Sequence, residues 1–164
     1  MRYRFATVIT AAILAAVVII SASGLVMAND DQAAKAKALV EKGVSMAVAD
    51  GEEKTLIAIG DPNGPFIDGE LYLFAGPLDM IALSAHPYRP ALVGRDLSKF
   101  KNSQMFSFIA DFGKVAREDG AGWVEYMWPK PGADEPSLKR TYIMKVPGKN
   151  IYIGCGFYPA SGKD

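Results

Sequence analysis

Cysteine, histidine and net charge are nearly missing from this chain of 164 residues, which has one Cys, one His and 18 basic residues set against 18 acidic ones. With Cys155 alone no internal disulfide can form, so burial has to hold the fold. One His and one Cys cannot complete a closed zinc site, a c-type haem attachment or an iron–sulfur cluster, and neither a metal nor any other cofactor is expected. The balanced charge, with no Lys/Arg run, leaves no field for a polyanion and argues against nucleic acid as a partner. Enzyme templates are missing too. Gly154-x-Gly156 lacks the third glycine and following helix of a dinucleotide fingerprint. His86 has no Ser in a Gly-x-Ser-x-Gly turn to serve, and Cys155 lies in an apolar strand that should raise its thiol pKa and keep it inert. No alternating Asp/Asn run marks a calcium loop, so Asp61, Asp68 and Asp79 are read as turn residues. No catalytic residue is assigned.

What the chain does have is apolar mass: half its residues are hydrophobic, with eight Phe, seven Tyr and two Trp. That suffices for one core and is too little chain for two ordinary domains. Arg2 and Arg4 precede fifteen uncharged residues, 6–20, and Val26-Met27-Ala28 offers a signal-peptidase site. The expectation is a signal peptide over residues 1–28, cleaved after Ala28, and one domain over 29–164 in the periplasm or secreted. An uncleaved membrane anchor is the alternative, since the apolar stretch approaches the length of a spanning helix.

In the domain, Ala36, Leu39, Val40, Gly43, Val44 and Ala47 repeat at three and four, which predicts an amphipathic helix over residues 30–50, stopped by Gly51. Residues 60–65 are a cluster of turn formers. Residues 71–75 and 80–85 are apolar runs of strand length joined by Gly76-Pro77-Leu78-Asp79, and are predicted to pair as a hairpin that ends at His86-Pro87. Arg95-Asp96 is read as a loop with its own ion pair. Ser103 is placed as the cap of a second helix with Met105, Phe106, Phe108, Ile109, Phe112 and Val115 as its apolar stripe. Three further strands are expected over residues 122–128, 138–146 and 151–158. The predicted fold class is α+β: an antiparallel sheet of about five strands, a long N-terminal helix and one inserted helix.

Several segments fall in a familiar order: Leu71-Tyr72-Leu73-Phe74, Ala85-His86-Pro87, Leu92-Val93-Gly94-Arg95-Asp96-Leu97, Tyr126-Met127-Trp128-Pro129-Lys130-Pro131, Lys139-Arg140-Thr141-Tyr142 and Ile153-Gly154-Cys155-Gly156-Phe157-Tyr158. In this order they resemble the single Cache domain family of extracytoplasmic sensors, from about Ala33 onward. The resemblance implies a PAS-like sheet behind a long N-terminal helix and a pocket for a small carboxylate. It places the Tyr, Trp and Lys positions in that pocket, with His86 at its edge and Tyr72 on the adjacent strand. The chain stops at Asp164, where relatives continue into a second membrane helix and a signalling output, so any signal is expected to pass to a separate partner.

A small anion needs a fixed cation or several donors in a mostly apolar pocket. Lys139 is the cation on offer, and Tyr126, Trp128 and Tyr142 carry donors on apolar bodies. Tyr126 and Trp128, two apart, share a sheet face, whereas Lys139 and Tyr142 do not in a straight strand. The candidate ligand-binding set is Tyr72, His86, Tyr126, Trp128, Lys139 and Tyr142. Each has a plain structural reading beside it: a strand-ending His bonded to backbone, core aromatics, a solvated strand lysine. The expected function is sensing of a small organic acid, passed to a membrane receptor, histidine kinase or transporter. The alternative is a protein–protein or homodimer module with a degenerate pocket, docking through its N-terminal helix.

Overall fold

The computed structural model describes residues 6–100 and 106–160, with side chains from Met27 onward. Most of the expected signal peptide, residues 1–28, lies outside the residues whose side chains are described, and so do Ser103 and Met105. Two compact units divide the chain, and the sheet with its helices belongs to the one spanning Ala33–Pro159.

Helix α1 spans Ala6–Ala49, and in the sheet-bearing unit it buries Ala36, Val40, Val44 and Ala47 along one stripe, as the three-and-four spacing requires. Gly51, at φ 97°, turns the chain where a side chain would be strained. The short apolar run after it becomes helix α2 (Glu52–Gly60), with Glu52 and Glu53 in the first turn, where the helix dipole favours acids. Strands β1 (Ile67–Asp68), β2 (Leu71–Pro77), β3 (Ala121–Pro129), β4 (Pro136–Lys145) and β5 (Ile151–Phe157) form one antiparallel sheet in the order β1-β2-β5-β4-β3. Helix α3 (Ser107–Glu118) crosses the face opposite α1 and buries Ile109, Phe112, Gly113 and Ala116.

The α+β architecture and the closing three-strand meander stand as expected, but the early hairpin does not. Residues 80–85 form no strand. They pair with β2 at an isolated bridge between Ala75 and Ala85, and other backbone groups turn to the loop beyond: Gly94 N–H donates to Leu83 at 2.9 Å and Leu97 N–H to Ile81 at 2.8 Å. The run is apolar because Ala82, Leu83 and Ala85 are buried, and burial does not require a ladder. β2 pairs instead with β5, and the fifth strand is the two-residue β1. Arg95 and Asp96 also find other partners than each other. The Arg95 guanidinium lies 4.8 Å from the Phe100 ring centroid, while Asp96 accepts from Ser98 and pairs with Lys99 at 3.1 Å.

The sheet separates two apolar clusters. Alternate residues Leu71, Leu73, Ile151, Ile153 and Cys155 face α1, and Tyr72, Phe74, Ile143 and Tyr152 face α3. Close approach of α1 to the sheet depends on Gly43, where an added Cβ would meet Leu73 Cδ1 at 2.5 Å and Ile153 Cγ2 at 3.5 Å. Gly43→Leu should therefore lower stability by about 1–3 kcal/mol through overpacking, read as a lower urea midpoint with an unchanged slope.

Candidate functional site

On the α3 face, β4 presents Lys139 and Thr141, and β3 presents Tyr126 and Trp128. Tyr126 is the cross-strand partner of Lys139. Lys139 has no exposed surface, and among the described residues its Nζ has neither a hydrogen-bond acceptor nor an ion pair. Rings surround it instead: Nζ lies 3.8 Å from the Tyr72 ring centroid and 5.2 Å from that of Tyr158. The stem runs across Gly156, where a Cβ would collide with Thr141 Oγ1 and would meet Lys139 Cε at 2.6 Å. Gly156 thus marks where a long side chain packs over β5, a reason for glycine in a strand that its sequence alone does not specify.

Burial pushes the Lys139 amine down to about 7, against weaker opposing pulls from Cys155 and Glu70. Burial also pushes the Cys155 thiol up to about 12, so it stays protonated. His86, 4% exposed, is lowered to about 3, first by burial and then by the charges of Lys139 and Arg89. Its Nδ1 accepts the backbone N–H of Tyr88 at 3.2 Å and of Arg89 at 3.1 Å, which assigns the proton to Nε2. The ring is a neutral donor, its centroid 5.2 Å from Tyr72 and 6.0 Å from Trp128. Thr141 Oγ1 donates to Tyr126 Oη at 3.1 Å and holds that ring in place. Burial raises the hydroxyl pKa of both Tyr72 and Tyr126 well above the ordinary tyrosine value.

Five of the six expected residues, Tyr72, His86, Tyr126, Trp128 and Lys139, therefore meet on one side of the sheet. Tyr142 does not join them. Strand alternation turns it to the α1 side, where its ring lies 5.1 Å from Trp123 and 5.7 Å from Lys37 Nζ. The structure adds Tyr158, Phe108 and Tyr88. Tyr158 Oη donates to Pro129 at 2.7 Å, the Phe108 ring stacks on Tyr126 at 4.1 Å, and Tyr88 meets Tyr72 edge-on at 5.0 Å. Only Tyr158, one step beyond the last strand and level with Lys139 in the register, had a signal in the sequence.

Trp128 borders three spaces. One is a groove of about 660 Å³ that also touches Phe106, Phe108 and Asp111. A second, about 270 Å³, runs past Tyr72, Tyr88, Arg89 and Lys130. The third is a void of about 10 Å³ between His86, Phe74 and Phe112, with room for no more than a water. The indole is the wall they share.

A buried amine ringed by aromatic side chains thus sits on the α3 face of the sheet. Residues 62–161 match the Cache domain family, and the chain belongs to it. The chain is similar to the methyl-accepting chemotaxis protein McpP of Pseudomonas putida, 40% identical over 73 residues, which are 44% of this chain and 13% of that receptor. It thus spans a small part of that relative's length. A solved periplasmic sensor domain of a chemotaxis protein is 28% identical with a TM-score of 0.60, over 82% of this chain and 99% of that one. A Cache chemosensory domain solved for carboxylic acid recognition shares the fold at 24% identity and TM-score 0.61, over 84% and 98% of the two chains. A methyl-accepting chemotaxis protein of Vibrio parahaemolyticus does so at 19% and 0.65, over 84% and 95%. The family's sensor domains are extracytoplasmic.

The Lys139 amine sets a pH dependence. Its folded value near 7 lies below the ordinary 10.5, so between those values the unfolded chain holds a proton that the folded chain has released. Stability of the ligand-free protein should rise with pH across that window, and the cost of the buried charge should be fully present below about 7. Melting temperatures of wild type and Lys139→Met from pH 6 to 10 should converge as pH rises, with the variant higher at the acidic end.

Proposed function

We propose that the protein is an extracytoplasmic sensor domain for a short-chain carboxylate, delivered to its compartment by a signal peptide over residues 1–28. Occupancy passes to a membrane receptor, histidine kinase or transporter. The observation that carries this is the Lys139 amine, wholly buried and without an acceptor among the described residues. A bound carboxylate supplies the acceptor and the counter-charge at once, turning an unfavourable burial into a paired one. The neutral His86 ring, its Nδ1 occupied by backbone N–H groups, offers its Nε2–H as a further donor on the same face. A solved Cache chemosensory domain of the same fold, studied for carboxylic acid recognition, supports this reading.

The void of about 10 Å³ beneath Trp128 favours a second reading, a module with a closed pocket that docks on a partner or dimerises. Light scattering on the purified protein separates the two, because a domain that pairs stably and binds no small acid fits only the second.

Titration calorimetry with acetate, propionate, lactate and pyruvate tests the first. At pH 8 the amine is mostly neutral, so binding should draw in about one proton per ligand, visible as a heat that changes with the buffer's ionisation enthalpy. Affinity should fall by up to about tenfold per pH unit above 7. Lys139→Met and Trp128→Ala should abolish binding. Unchanged affinity in Lys139→Met would dispose of the carboxylate assignment.

A further inference from the structure

Strand β3 lies at one edge of the sheet and is long for that place: nine residues, Ala121–Pro129, against the two of β1 at the other edge. Lys145 N–H donates to Gly120 at 2.8 Å, which fixes the pairing pattern, so that Gly122, Val124, Tyr126 and Trp128 exchange hydrogen bonds with β4. The N–H and C=O groups of Ala121, Trp123, Glu125 and Met127 therefore point away from the sheet. Among the described residues none of these groups has a backbone partner. The devices that usually blunt such an edge are sparse: β3 has no lysine, Glu125 is its one charge, and its proline is the last residue, Pro129.

The groove of about 660 Å³ runs along this edge. Five consecutive residues, 125–129, line it, and side chains that alternate between the two faces of a sheet can border one space only where that space lies alongside the strand. Opposite β3 the wall is carbon, from Leu92 and from Phe106 and Phe108 at the start of α3. The charges of the groove are unequal. Asp111 and Asp134, which form no ion pair among the described residues, and Glu125, faced by Arg140 at 3.7 Å, stand against one Arg89.

We propose that the β3 edge and its groove are a docking site for an extended, basic segment of a partner protein, which adds to the sheet as one more strand. The segment's backbone pairs with the outward groups of Trp123, Glu125 and Met127, its apolar side chains enter the groove, and its lysines or arginines reach Asp111 and Asp134. A second copy of this chain fits less well, because its own β3 would bring a glutamate and no cation to an acidic edge. Docking here does not require an acid at Lys139.

Amide hydrogen exchange on the purified protein, with and without a short blocked peptide alternating lysine with valine, tests the site. The amides of Trp123, Glu125 and Met127 should exchange freely in the protein alone and gain protection with the peptide, and anisotropy of the labelled peptide should give a Kd that weakens with salt. Met127→Pro removes one outward N–H and leaves the pairing with β4 intact, so it should weaken binding by about tenfold or more. Asp111→Lys combined with Asp134→Lys should do the same without touching the sheet. A peptide with glutamate in place of lysine should not bind, and neither should the lysine peptide once its backbone is N-methylated. Should Met127→Pro fail to fold, the charge reversals and the N-methylated peptide decide. Equal binding of the glutamate or the N-methylated peptide, or no gain in protection at these amides, overturns the proposal. Light scattering that finds a dimer which Met127→Pro dissolves gives the edge to a second copy and overturns it too.

Discussion

An amine taken wholly out of water, with no acceptor beside it among the described residues, is the constraint around which the rest of the α3 face is arranged. Water stabilises an ammonium far better than aromatic faces do, so the rings of Tyr72 and Tyr158 recover only part of what desolvation removes. The protein meets the remainder by letting the proton go near neutrality. That choice dictates other residues. Gly156 must be bare for the stem to lie flat, and His86 must be neutral, since a second buried cation nearby would add to the cost.

Tautomer control is the second arrangement. Two backbone N–H groups from the turn after Pro87 occupy one nitrogen of His86 and commit the other to donation. The plain reading of this histidine, a strand-ending ring bonded to backbone, and the functional one are thus compatible. The same two bonds that end the segment also aim a donor at the aromatic layer.

Much of this was legible in the sequence where periodicity was clean. The buried stripe Ala36, Val40, Val44, Ala47 follows the helical spacing, and the paired strands β3, β4 and β5 follow runs of β-branched and aromatic residues. Alternation alone put Tyr126 with Trp128 and separated Lys139 from Tyr142, so the turning away of Tyr142 was implicit in the strand pattern. Residues 80–85 misled because an apolar run reports burial, and here the burial belongs to an irregular segment packed beneath α3. A two-residue strand such as β1 gives no periodic signal at all. Phe108 looked like one more member of a core stripe. What separates it from Ile109 and Phe112 is a hollow on each side of it, and hollows are a property of packing in three dimensions.

The sheet order has a consequence for how the molecule assembles. Among the described residues β5 comes latest in the sequence yet lies in the middle of the sheet, paired with β2 on one side and β4 on the other. While a ribosome is still delivering residues 151–157, β2 has only the short β1 beside it and the β3–β4 hairpin has nowhere to dock. The nascent polypeptide therefore remains open until those seven residues have been made. Removing those seven residues would not trim an edge but divide the sheet in two.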